Sequence, residues 1–290
     1  MGAAAGGVRQ HGPATARQPG AATRPGNTAR HATCAAGRSR AAANIAPMQT
    51  RPARPSIVIL ISGRGSNLRS LVEAAVAGDL DCSIAGVISN RPDAGGLAWA
   101  AARGIATRVI DHRSFGERAA FDLALADAVD ELAAAGAGVP TQAPWVVLAG
   151  FMRILGDGFI GRHSGRIVNI HPSLLPLYPG LHTHRQALAD GALLHGATVH
   201  LVTPKLDHGP ILAQAVVPVL AADTEATLAD RVLSMEHRLY PLAMQWLVSG
   251  SVSVEAGRVL LDGVDAPHRR LLRHPSFDDG GVPAAQACER

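Results

Sequence analysis

Aromatic residues are scarce: Phe, Trp and Tyr together make up 3% of the 290 residues. A core must therefore be aliphatic, and the apolar share of 47% is enough to build a sizeable one. Lysine is almost missing, Lys205 being the only one among 27 basic residues. Cysteine is limited to Cys34, Cys82 and Cys288. Their wide spacing offers neither a disulfide framework nor a zinc-ligand pattern, which fits a reducing compartment and a cytoplasmic protein. No run of ~18 apolar residues occurs, so neither a membrane span nor a membrane partner is expected.

Acidic residues are missing from positions 1–55, which hold eight arginines. The net charge of +4 belongs to this segment; the rest of the chain carries 19 basic against 23 acidic residues. A mildly acidic body with a basic end gives no ground for expecting nucleic acid as a partner. Residues 1–55 are rich in Ala, Arg, Gly and Pro without hydrophobic periodicity, and are expected to be a disordered extension. Two readings stay open. An organelle transit peptide is Arg-rich and acid-poor, but Ser39 is the only serine here and no amphipathic stretch is visible. Translation starting at Met48 is the favoured alternative.

From residue 56 the pattern is orderly. Ser56–Ile61 is apolar on both faces, as a central parallel strand would be. Gly63, Gly65, Ser66 and Asn67 follow, and Leu68, Leu71, Val72, Ala75 and Val76 then recur at helical spacing up to Gly78. Strands are expected at 84–88, 107–110, 145–149 and 166–170. Helices are expected at 95–103 and 117–135, with a short one near 157–163. This alternation predicts an α/β fold: an open, mostly parallel Rossmann-like sheet with helices on both faces. After residue 195 the strands 197–203 and 211–219 flank the Asp207–Pro210 turn closely enough for a hairpin, so the C-terminal edge is expected to be antiparallel. Residues 224–248 form an amphipathic helix carrying Leu228, Val232, Met235, Leu239 and Leu242 on one side. A small hairpin is expected at 251–262. The folded domain is thus placed at 56–265, with 266–290 a loose tail.

Two places carry chemistry. The first is Gly63-Arg64-Gly65-Ser66-Asn67-Leu68, between a strand and a helix. Its glycines permit close backbone approach, and the helix N–H groups and dipole favour an anion. Ser66 and Asn67 can cap the helix or donate to phosphate oxygens. A dinucleotide site would want a third glycine where Leu68 sits and an acid ~20 residues on, where Ser89-Asn90 stand, so a nicotinamide cofactor is not expected. A tight turn without a ligand has the same appearance. The second is Val168-Asn169-Ile170-His171-Pro172-Ser173-Leu174-Leu175-Pro176. Asn169 and His171 are two apart at a strand end and share a face. An amide and an imidazole aimed at one point can stabilise an oxyanion. If the later turn folds back to the same edge, Asp207 lies near His171 and favours the imidazolium. Taken alone, Asn-x-His at a strand end and Asp-x-Gly in a turn are also ordinary structural features. His171, His182, His184, His200 and His208 are not framed by a His-Glu-x-x-His or a Cys pair, and no metal is expected.

Four blocks in order carry a resemblance over about residues 57–250. They are Ile-Ser-Gly-Arg-Gly-Ser-Asn-Leu at 61–68, Val-Val-Leu-Ala-Gly-Phe-Met-Arg-Ile-Leu at 146–155, Asn-Ile-His-Pro-Ser-Leu-Leu-Pro at 169–176 with Tyr-Pro-Gly-Leu-His-Thr-His at 178–184, and Leu-Asp-His-Gly-Pro at 206–210. In these the chain resembles the folate-dependent glycinamide ribonucleotide formyltransferases. The third block is shared by several formyl-folate enzymes; the four together are specific. The resemblance implies a formyltransferase domain acting on glycinamide ribonucleotide, with 10-formyltetrahydrofolate as co-substrate and no metal. It implies Asn169, His171 and Asp207 as the catalytic group. Gly65, Ser66 and Asn67 would hold the substrate phosphate, with Glu236 near the ribose. Met152, Arg153, Ile154 and Leu155 would line the folate pocket, with Arg118, Asn169, Thr203 and Asp207 also on the folate side and the 203–207 loop closing over the pterin. His208 stands where some relatives have Gly.

The rivals fit less well. Formyltetrahydrofolate deformylases carry an N-terminal regulatory domain, which residues 1–55 cannot form, and have His where Pro172 stands. Methionyl-tRNA formyltransferases should show Arg-Gly after the Ser-Leu-Leu-Pro block and a basic C-terminal domain. A non-catalytic nucleotide-binding module would bind without turnover. No oligomeric state follows from the sequence.

Overall fold

The computed structural model describes residues 54–136 and 143–277. The extension expected at 1–55 therefore falls, but for its last two residues, outside the described residues. An eight-stranded sheet forms the frame, built from β1 (Ser56–Ile61), β2 (Ser83–Ser89), β3 (Thr107–Val109), β4 (Trp145–Leu148), β5 (Ile167–His171), β6 (Leu194–Leu201), β7 (Ile211–Pro218) and, after a separate hairpin of β8 (Val252–Glu255) and β9 (Arg258–Leu261), β10 (Leu271–Arg273). The order across the sheet is β10-β7-β6-β5-β4-β1-β2-β3. Pairing is parallel from β3 to β5, and β6 then runs antiparallel to both β5 and β7.

β1 lies at the centre with every residue buried. Its alternate side chains serve opposite layers. Ile57, Ile59 and Ile61 pack under α1 (Ser66–Ala77) and α6 (Glu225–Val248), while Val58 and Leu60 pack under α3 (Arg118–Gly136) and α4 (Asp157–Arg162). Shorter helices α2 (Gly95–Ala101) and α5 (Thr183–Ala189) complete the set. Among the described residues Tyr240 of α6 is the largest fully buried side chain, and its hydroxyl lies 3.0 Å from both the Leu148 carbonyl oxygen at the end of β4 and the Val168 carbonyl oxygen within β5.

Three expectations are corrected. Val76 is 84% exposed, because the α1 stripe ends at Val72 and Ala75. Leu242 lies off the buried face of α6, which continues instead through Tyr240, Ala243, Met244 and Leu247. The tail is not loose from residue 266: β10 pairs in parallel with the outer edge of β7, and Arg270 donates to the Ile211 carbonyl at 2.7 Å. The outermost C-terminal strand is thus parallel to its neighbour, covering an antiparallel pair that would otherwise present an open edge.

Candidate active site

β5 delivers Asn169 and His171 to one face of the sheet. Antiparallel pairing sets His200 of β6 directly opposite Asn169, and Thr198 opposite His171. His200 Nδ1 is 2.9 Å from the Leu201 carbonyl oxygen, so that nitrogen carries the proton and Nε2 is left to accept from Asn169 Nδ2 at 3.2 Å. Burial pushes the His200 imidazole below its usual range, outweighing the Leu201 carbonyl and the Asp207 carboxylate, in keeping with this neutral tautomer. One face of the Asn169 amide is thereby fixed, and its second N–H stays available.

His171 is held from two sides. Its Nε2 is 2.9 Å from the Tyr178 carbonyl oxygen and its Nδ1 3.5 Å from Asp207 Oδ2. The same carboxylate oxygen accepts the Gly180 N–H at 2.9 Å, while Oδ1 lies 3.9 Å from His200 Nε2. Asn169, His171, His200 and Asp207 thus form one cluster, with Asp207 and His171 side chains only 8% and 7% exposed.

Backbone geometry explains how these residues meet. Because β6 runs antiparallel, its exit lies beside the start of β5, where the Val202 N–H donates to the Ile167 carbonyl. The following turn must reach back to His171. Asp207 adopts φ 48° within it, and at Gly209 a Cβ would run into the Leu201 carbonyl oxygen. Only glycine fits that approach. The loop leaving β5 is pinned by side chains: Thr183 Oγ1 donates to the Pro172 carbonyl at 2.6 Å, Thr198 Oγ1 to the Ser173 carbonyl at 2.7 Å, and Gln214 Nε2 to the Leu175 carbonyl at 2.9 Å. Tyr178, at φ 53°, turns its carbonyl toward His171.

A second polar pair lies at the first turn. Gly65 is the N-cap of α1 at φ 74°, and no side chain caps the helix. Ser66 and Asn67 therefore do not cap it; they begin it, leaving the first-turn N–H groups without a side-chain partner. Asn67 instead turns to α6, where Nδ2 donates to Glu236 Oε2 at 2.7 Å. Among the described residues Asn67 Oδ1 has no hydrogen-bond partner. Burial pushes the Glu236 carboxyl above its usual range, and the Asn67 hydrogen bond offsets part of that rise. The turn opens into a 1030 Å³ cavity between α1 and α6, whose lining includes Arg64, Ser66 and Arg69.

The 152–155 loop leaves β4 between these places. Met152 and Ile154 are 67% and 63% exposed, and Arg153 is exposed beside them. Leu155, expected to line a pocket, instead packs into the core with Phe121 and Phe159. Met152 N–H donates to Ser62 Oγ at 2.7 Å, and Ser62 donates to Asn90 Oδ1 at 2.6 Å. Arg118 stands half-exposed at the start of α3, 3.8 Å from Asp122. Thr203 Oγ1 donates to the Lys205 carbonyl at 3.2 Å.

Sequence reasoning missed His200, Tyr178 and Ser62. Alternation along β6 puts Thr198 and His200 on one face, which was the available signal for His200; Tyr178 acts through its backbone and leaves no side-chain signature. Among the described residues, no group of three or more His, Cys, Asp or Glu is placed to hold a metal ion, and no helix is long and apolar enough to cross a membrane.

Comparison with known proteins identifies the family. The formyl transferase family model matches residues 55–244. Phosphoribosylglycinamide formyltransferase of Escherichia coli (strain K12) is 45% identical over 212 residues, covering 73% of this chain and 96% of that protein. The solved phosphoribosylglycinamide formyltransferase of Coxiella burnetii superposes with a TM-score of 0.68 at 41% identity, covering 76% of this chain and 99% of that one. A solved formyltetrahydrofolate deformylase from Pseudomonas syringae pv. tomato is more distant, at 26% identity and a TM-score of 0.64, with 72% and 66% covered. With the family model matching most of the folded chain and both phosphoribosylglycinamide formyltransferases covered almost end to end, the chain belongs to the formyl transferase family, among the phosphoribosylglycinamide formyltransferases.

Proposed function

We infer that this protein transfers the formyl group of 10-formyltetrahydrofolate to the glycyl amine of N1-(5-phosphoribosyl)glycinamide, giving the N-formyl product and tetrahydrofolate, a step of de novo purine synthesis. The observation that carries this reading is His171, fixed between the Tyr178 carbonyl and Asp207 beside the free N–H of Asn169. Both ring nitrogens of His171 face acceptors.

The folate supplies the formyl carbon, and its nitrogen departs with the proton. Asn169 donates its free N–H to the carbonyl oxygen as it gains negative charge during attack by the amine, a donor worth roughly 3 kcal/mol of barrier, and His171 joins it when its Nδ1 N–H turns from the long 3.5 Å contact with Asp207 to that oxygen. Asp207 orients His171 and moves the amine proton toward the leaving nitrogen. Neither step calls for a metal or a covalent enzyme intermediate. The free N–H groups of Ser66 and Asn67 suit a phosphate, and the Asn67–Glu236 pair offers a carboxylate to ribose hydroxyls. Exposed Met152 and Ile154 suit a flat heteroaromatic ring, and the Arg153 and Arg118 cations suit a carboxylate-bearing tail on the same molecule.

The deciding experiment offers the purified protein 10-formyltetrahydrofolate with the ribonucleotide, with water alone, or with charged initiator tRNA. Tetrahydrofolate release only with the ribonucleotide is expected. Release in water alone would identify a deformylase, and release with tRNA a different acceptor class.

A further inference from the structure

Outside the catalytic cluster, Asp122 is a buried carboxylate in an unusual position. It lies on α3, 5% exposed, on a helix that supplies Phe121 and Leu125 to the core layer on that side of the sheet. Its Oδ2 accepts the Gly156 N–H at 2.9 Å, and Arg118 Nε lies 3.8 Å from the same oxygen. Its Oδ1 has no hydrogen-bond partner among the described residues. Burial pushes the carboxyl above its usual range, against the pull of the Gly156 N–H and of the charges on Arg118 and Arg153. A carboxylate this buried serves core packing poorly. What it does touch is the end of the 152–155 loop, and at Gly156 a Cβ would run into its oxygen.

The loop therefore has two posts. Ser62, braced by Asn90, holds the Met152 N–H at one end, and Asp122 holds the Gly156 N–H at the other. Between them the loop turns Leu155 into the core and leaves Met152, Arg153 and Ile154 outward. We propose that Asp122 is a positioning residue for the folate co-substrate: through Gly156 it fixes the loop that presents Met152, Arg153 and Ile154, and through its carboxylate it orients Arg118. This rests on the assignment of that loop to the folate. A residue that only packs the core would have no reason to affect one substrate more than the other.

Steady-state kinetics with each substrate varied separately tests this. Asp122→Ala is expected to raise the KM for 10-formyltetrahydrofolate about tenfold, the effect of leaving a buried N–H unsatisfied, with kcat and the ribonucleotide KM within about twofold. Asp122→Asn keeps an oxygen for the Gly156 N–H and is expected to recover most of that loss. Gly156→Ala approaches the same contact from the loop side and is expected to reproduce the selective rise, which keeps the test decisive if Asp122→Ala does not fold. Calorimetric binding of 5-formyltetrahydrofolate, a stable formyl-folate, reads the same change without turnover. Wild-type protein that binds this probe without formyl transfer would overturn the catalytic reading and leave that of Asp122 open to the same binding test. A folate KM unchanged in both Ala variants, or a parallel rise in both KM values with no recovery in Asp122→Asn, overturns the proposal.

Discussion

Asp207 and Glu236 are both buried carboxylates beside a polar partner, yet their settings differ. Asp207 accepts a backbone N–H and faces two imidazoles, whereas Glu236 has the Asn67 amide alone. Replacing Asp207 by Asn keeps the shape and removes the charge opposite His171. A fall in kcat of about 10²–10⁴, with both KM values within about threefold, is expected in initial-rate assays; near-normal kcat would sink its role in proton movement. Glu236 illustrates a site residue held at a cost to stability. Its raised folded pKa means that its contribution to stability is fully present below the unfolded carboxylate range and is lost as pH rises through the folded value. At neutral pH the burial of its charge works against the fold. Glu236→Gln is therefore expected to raise Tm at pH 7 by about 2–4 °C, the shift for roughly 1 kcal/mol in a domain of this size, with the gain vanishing in acid. The same variant should raise the ribonucleotide KM about tenfold. Thermal melts at pH 4 and pH 7 beside kinetics check both halves, and a gain that persists in acid would contradict the burial argument.

At the scale of elements, the first strand and turn were the most legible part of the chain. Five consecutive apolar residues, Ile57–Ile61, followed by Ser-Gly-Arg-Gly admit little but a central strand and a tight entry into a helix, and β1 begins and ends where the sequence places it. The turn's glycine is needed twice over: Gly65 sits at φ 74°, and a Cβ there would come within 3.2 Å of the Gly96 backbone. Gly65→Val is expected to raise the ribonucleotide KM at least about tenfold by displacing the first-turn N–H groups, since a β-branched residue is strained at positive φ. An unchanged KM would remove the phosphate from this turn. Other elements were less legible. The end of α6 was misread at Leu242 because two adjoining stripes, one through Leu239 and one through Tyr240, both point inward, and spacing alone does not reveal a face this wide. β10 is three residues, Leu-Leu-Arg, following a Pro-containing, arginine-rich turn. It is a strand because β7 offers an edge, a fact no local pattern contains.

For the whole molecule, the sheet's division into a parallel part and an antiparallel end was readable from the change of texture after residue 195. The assembly of the site was only half readable. Asn169 and His171 share a face by strand geometry, but the reach of Asp207 back to His171 depends on Gly209 passing the Leu201 carbonyl, and His200 enters through strand pairing. The two polar places also differ in how the chain supplies them. Asn67 and Glu236 come from its opposite ends, whereas Asn169, His171, Tyr178, His200 and Asp207 all lie on one continuous stretch, from β5 through β6 to the following turn. On the proposed assignment the group-transfer residues form a single continuous cassette, while recognition of the acceptor is spread across the frame. On that assignment, substitutions that change the acceptor belong at scattered frame positions and those that change the transfer step belong within the cassette.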